Sequence, residues 1–167
     1  MAAETRGRTL TRMLIAIFEG DEGRGLVQLP RLLGLARLQN SSVRVAYFRR
    51  IPRDRTDRYD RIVADRYREM LRIEEAMREA VAGVLRAAGR GPVECVVRFG
   101  SPVVEVEREA EAFAADTVAF APGPDLPARW RAWRVRRRFA AYPGLRLLVL
   151  EGDAAGRGRP EVAMRPA

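Results

Sequence analysis

Two kinds of apolar pattern alternate along this chain. The first is the short continuous run. Met13-Leu-Ile-Ala-Ile-Phe18 is apolar throughout, as expected of a strand covered on both faces. Residues 43–48, 93–99, 115–121 and 145–150 are further runs of strand length. The second kind recurs every three or four positions. Leucines at 26, 29, 32, 33, 35 and 38 predict a helix over 26–38, with Pro30 either kinking it or opening it late. Val63, Tyr67, Met70, Met77, Val81 and Val84 share one stripe and predict a long helix over about 60–88, stopped by the glycines and proline of 89–92. Ser101 and Pro102 read as the cap and first residue of a third helix. Its buried stripe is Val103, Val106, Ala110 and Phe113, and Glu105, Glu107, Glu109 and Glu111 form its solvated face. A fourth helix over 128–141 ends at Tyr142-Pro-Gly144.

The order β-α-β-α-β-α-β-α-β predicts an α/β fold of three layers, Rossmann-like, with a five-stranded, mostly parallel sheet and helices on both faces. One domain over 13–150 accounts for all of it. Residues 1–12, with three arginines, read as a flexible arm, and residues 151–167, rich in Gly, Ala, Arg and Pro, as a flexible tail. No apolar run reaches the length of a membrane span or a signal-peptide core, so a cytoplasmic protein with no membrane partner is expected.

The chemical inventory narrows function further. The chain contains no histidine, which removes the usual neutral-pH proton shuttle, the commonest transition-metal ligand and every Ser-His or Cys-His arrangement. Cys95 is the single cysteine and sits in a strand-like run, which fits an inert buried thiol. Ser41, Ser42 and Ser101 look like caps, with no base to activate them. Glu19, Asp21 and Glu22 offer hard-cation ligands in principle but read as helix-start charges, so no metal site is expected. These absences point to a non-enzymatic binding or regulatory module. The net charge is +9 and all of the positive charge is arginine, since lysine is unused. Such a surface attracts polyanions, while the exclusive use of arginine also fits a compositional bias.

Residues 13–150 resemble a universal stress protein domain. The pieces that carry the resemblance are the opening strand Met13-Leu-Ile-Ala-Ile-Phe18, the long second helix, the stretch Phe99-Gly-Ser-Pro-Val-Val-Glu-Val, similar to the family's G-x-P helix entry, and Ala115-Asp-Thr-Val-Ala-Phe-Ala121, similar to its A-D-L-I-V-M-G strand. In ATP-binding members the resemblance implies a G-x-x-G-x9-G-[S/T] loop after the fourth strand. Here its glycine positions fall on Ala121, Pro124 and Arg134 and its hydroxyl position on Val135, with Gly123 nearby but out of register. The family's aspartate after the first strand falls on Phe18, beside Glu19. Proline offers no N–H to a phosphate, and side chains stand where glycines let phosphate approach. No cofactor is therefore expected, and ATP binding in the usual mode is expected to be lost. The alternative is a rewired site for ATP or another nucleotide in the crevice where the sheet order reverses, lined by Phe18, Glu19, Gly20, Asp21, Tyr47, Ala121, Gly123, Arg134 and Val135.

The segment Arg129-Trp-Arg-Ala-Trp-Arg-Val-Arg-Arg-Arg-Phe139 holds six arginines, two tryptophans and no acid. At 100° per residue, Ala132, Val135 and Phe139 share one side, and Trp130, Trp133 and Arg137 roughly the opposite one. If the first side packs on the sheet, Trp130, Trp133, Arg134 and Arg137 form an interaction surface for a protein partner, a second copy or a nucleic acid; the other readings are tryptophans in the core with the arginines merely solvated, or arginines stacked on their own tryptophans. The resemblance also implies a homodimer through the last strand, residues 145–150, which would otherwise be a bare sheet edge.

Overall fold

The computed structural model describes residues 11–56, 58–59, 61–151 and 161–162. Strands β1 (Thr11–Phe18), β2 (Ser41–Arg49), β5 (Glu94–Phe99), β6 (Thr117–Phe120) and β7 (Arg146–Val149) form one sheet, in spatial order β5-β2-β1-β6-β7. All four pairings are parallel. A short strand β8 (Glu161–Val162) pairs antiparallel with β7 at Leu148 and Val149. Between β2 and the second helix lies a separate two-stranded piece, β3 (Arg55–Thr56) with β4 (Ile62–Ala64).

β1 is central, and its alternation divides the core. Met13, Ile15 and Ile17 point into the layer formed by α1 (Glu22–Leu38) and α2 (Arg66–Ala87). Leu14, Ala16 and Phe18 point into the layer formed by α3 (Pro102–Phe113) and α4 (Leu126–Phe139). Every residue from Met13 to Phe18 is at most 2% exposed, which is why the run carries no polar alternation. Two helices on each face complete the three-layer α/β fold. Among the described residues no helix is long and apolar enough to cross a membrane.

Several expectations need correction. α1 begins at Glu22, four residues before the leucine pattern, and runs through Pro30 without ending. The N–H that Pro30 lacks is offset by the burial of Leu29, Leu32 and Leu33 beside it. α2 begins at Arg66, not near 60, because the Asp65 carboxylate caps it by accepting from the Tyr67 N–H at 2.9 Å. Val63, read as part of its stripe, lies in β4, and Tyr67 is exposed; the buried stripe is Ile73, Met77, Val81 and Leu85. Glu109, read as solvated, is 2% exposed and is held by Arg44 from β2 at 2.7 Å and Arg98 from β5 at 2.6 Å. Glu107, from the same expected face, bonds to Arg138 and to the Tyr142 hydroxyl. At the ends, Thr11 and Arg12 belong to β1 and Glu161–Val162 to β8, whereas the rest of the expected arm and tail, apart from Glu151, lies outside the described residues.

Candidate functional site

The sheet order reverses at β1, which pairs with β2 on one side and β6 on the other. The chain leaves β1 for the α1/α2 face and leaves β6 for the α3/α4 face, so the two connections part above the carboxyl ends of these strands. This is where an open α/β sheet offers a crevice.

The β1 connection is a tight turn. The Asp21 N–H donates to the Phe18 carbonyl at 2.9 Å, and Gly20 has φ +89°, the left-handed region that favours glycine. Glu22 Oε2 accepts from the Gly20 N–H at 2.8 Å and Oε1 from the Tyr47 hydroxyl at 2.5 Å. Burial, reinforced by that carboxylate, raises the Tyr47 phenol well above its ordinary value. Glu19 reaches Arg49 at 3.2 Å and accepts from the Arg50 N–H at 3.2 Å. The acids of the turn are therefore engaged one by one, and no group of three metal-ligating side chains exists among the described residues.

Asp21 occupies the N-cap position of α1 but makes no side-chain cap hydrogen bond. Its carboxylate turns the other way, across the reversal point. Oδ1 accepts from the Gly123 N–H at 3.0 Å and Oδ2 from Arg131 Nη2 of α4 at 2.8 Å. Asp21 is 4% exposed, and the Arg131 guanidinium also lies 5.6 Å from the Phe18 ring centroid. The approach to Gly123 is close: a Cβ there would stand 2.8 Å from Asp21 Oδ1 and 2.9 Å from Asp125 Oδ1. Glycine is required at 123 because a carboxylate of the protein itself lies against the main chain. Pro122, Pro124 and Pro127 supply no N–H on either side of it.

Two clefts flank the start of α4. The larger, about 1230 Å³, is bounded by the ends of β1, β2 and β5 and by α4; Glu19, Arg49, Arg50, Ser101, Arg131 and Arg134 supply polar groups, and Ile51, Pro52, Leu126 and Trp130 apolar walls. The smaller, about 650 Å³, contains Gly123, Arg24, Arg129, Arg136 and Trp133, and shares Leu126 and Trp130 with the first.

Against this geometry, the residues expected to line the crevice separate into two sets. Glu19 and Arg134 line the larger cleft and Gly123 the smaller, while Gly20 and Asp21 form the turn beside them. Phe18, Tyr47, Ala121 and Val135 do not line it: they are 1%, 1%, 4% and 0% exposed, in the two core layers. Sequence reasoning missed Arg49, Arg50, Ile51 and Ser101, which the carboxyl ends of β2 and β5 bring to the cleft, and Arg131. The signal for the first four was the continuation of two predicted strands towards the same sheet end as β1. On α4, Ala128, Ala132, Val135 and Phe139 are buried, Trp130 and Trp133 are 58% and 50% exposed, and Arg134 and Arg137 lie over their respective rings at 4.8 and 5.4 Å.

Arrangement and topology coincide with solved structures. The chain has the universal stress protein fold. A universal stress protein in complex with cAMP superposes with a TM-score of 0.57 at 16% identity, over 84% of this chain and 98% of that one. A protein of the universal stress protein family from Burkholderia pseudomallei superposes with a TM-score of 0.55 at 15% identity, over 86% and 98%. No family model matches the sequence, and no curated protein matches it.

Proposed function

We propose that this chain is a regulatory, non-enzymatic member of the universal stress protein family that does not hold ATP in the family's usual mode. One observation carries the reading. The Gly123 amide, the glycine N–H left in the loop after β6, already donates to the Asp21 carboxylate, which Arg131 neutralises. An internal anion stands where a phosphate would need a donor, and the adjacent prolines have none to give. The non-enzymatic part rests on the side chains: the sequence holds no histidine to activate Ser101 in the larger cleft, and burial pushes the Cys95 thiol up to about 11, far from a reactive thiolate at neutral pH. Assembly as a homodimer through residues 145–150 belongs to the same proposal; β8 covers part of that edge, so a partner strand would replace it.

Calorimetry with magnesium ATP tests the proposal. No saturable heat up to millimolar ATP is expected, and a micromolar dissociation constant would overturn it.

A second reading, a nucleotide-responsive protein with a rewired pocket, is favoured by the larger cleft itself. It combines four arginines with an indole and an apolar wall, the chemistry of a small anion carrying a flat ring. One of the structural neighbours is in complex with cAMP. Thermal denaturation with AMP, ADP and cyclic AMP distinguishes the two: a saturable rise in melting temperature supports this reading, and no shift at millimolar concentration removes it.

A further inference from the structure

The outer face of α4 is a second unusual surface, independent of the Asp21–Gly123 contact. Leu126, Trp130 and Trp133 follow one another at positions i, i+4 and i+7 and are 77%, 58% and 50% exposed. Folding has used the opposite side of the helix for the core, so these three side chains contribute little to it. Each indole has a guanidinium against it, Arg134 on Trp130 and Arg137 on Trp133. Planar cationic and aromatic groups therefore alternate along the helix.

Part of the charge on this face has no internal counter-charge among the described residues. The described residues place Arg49 on Glu19, Arg131 on Asp21 and Arg136 on Glu151. Among the described residues, the guanidinium groups of Arg50, Arg129, Arg134 and Arg137 have no carboxylate within 4.0 Å, and all four residues are exposed. Arg50 and Arg134 border the larger cleft and Arg129 the smaller, so the cationic groups lie on both sides of Trp130. A partner for this face must be anionic along its length and must offer flat groups to stack on exposed indoles.

We propose that the outer face of α4, with the clefts on either side of it, binds single-stranded nucleic acid without strong sequence preference. Arginines take the phosphates and the indoles take unpaired bases, a combination that works for any base because every base has a stacking face. A duplex hides those faces, and an acidic polypeptide has charge without an array of rings.

Fluorescence anisotropy of the full chain with labelled fifteen-nucleotide oligo-dT and oligo-rU tests this. Four unneutralised arginines imply a slope of log K against log salt near −3, or a loss of about 50-fold between 50 and 200 mM salt. The pair Trp130→Ala and Trp133→Ala, at exposed positions, should weaken binding by at least about tenfold and leave the slope unchanged. The triple replacement of Arg129, Arg134 and Arg137 by Ala should flatten the slope to about −1. The reverse results overturn the proposal: no binding at 50 mM salt, a tryptophan pair variant that binds as well as the wild type, or duplex DNA or polyglutamate that competes as strongly as the single strand. The last would mark the face as a docking site for acidic polymers in general.

Discussion

Replacing Asp21 by alanine should destabilise the fold well beyond what a surface aspartate could. The carboxylate is 4% exposed and accepts two hydrogen bonds, from the Gly123 N–H and from Arg131 Nη2. Hydrogen bonds to a buried charged group contribute about 1.5–3 kcal/mol each, so the gross loss is about 3–6 kcal/mol. Arg131 is 19% exposed and recovers some hydration once released, which places the net cost near the lower end, about 3 kcal/mol. For a domain of this size each kcal/mol lowers the melting temperature by roughly 2–4 °C, giving a fall of about 6–12 °C. Asp21→Asn keeps an oxygen for Gly123 but loses the charge facing Arg131, and should cost about half as much. Urea denaturation with a double-mutant cycle on Asp21→Ala and Arg131→Ala measures the pair directly, and a coupling above about 1 kcal/mol is expected. The reasoning fails if Asp21→Ala costs less than about 1 kcal/mol, or if the asparagine and alanine variants are indistinguishable.

Three further outcomes follow. Glu109→Ala should cost about 2 kcal/mol in chemical denaturation, less than the ~3–5 kcal/mol of a fully enclosed pair, because Arg44 keeps Glu94 and Arg98 is 46% exposed; a cost within ~0.5 kcal/mol of zero would contradict the buried bridge. Since burial raises the Cys95 thiol to about 11, a disulfide reagent at pH 8 should label the folded chain about 100-fold more slowly than the chain in urea, and equal rates would contradict it. The sign follows for stability: the folded state holds this proton more tightly, so its contribution is full below the unfolded thiol's range and is lost as pH climbs from about 9 through about 11. A chain truncated after Glu151 loses β8 and bares the main chain of Leu148 and Val149, so sedimentation should show more self-association than in the full chain; an unchanged distribution would mean β8 does not guard that edge.

The legible parts of the fold are those in which local pattern and burial coincide. Met13 to Phe18 is covered on both faces, so its uniform apolarity is unambiguous, and the order of strands and helices then follows from punctuation by glycine and proline. Boundaries failed where two local signals competed. Ile62–Ala64 fits the phase of the following helix, so the pattern extends that helix to about 60, although Asp65 offers a cap further on. The leucine pattern starts the helix at 26, yet α1 begins at Glu22 and runs through Gly23 and Gly25, because packing of its later leucines decides its length. The site was less legible because its contacts are distant in sequence. Nothing near Asp21 announces Gly123 or Arg131, 102 and 110 residues away, and Glu109 meets Arg44 across 65 residues. The departures from the family loop raise the expectation that a phosphate cradle is missing. What they could not indicate is that a carboxylate of the protein occupies the remaining amide.

The most direct measurement follows the Gly123 amide by heteronuclear NMR while magnesium ATP is added to the labelled full chain. If Asp21 holds that N–H, its resonance should stay in place through millimolar nucleotide, whatever shifts appear at Arg49, Arg50 or Trp130. A saturable displacement of the Gly123 signal, together with release of Arg131 from Asp21, would show that phosphate takes the amide and that the site is open.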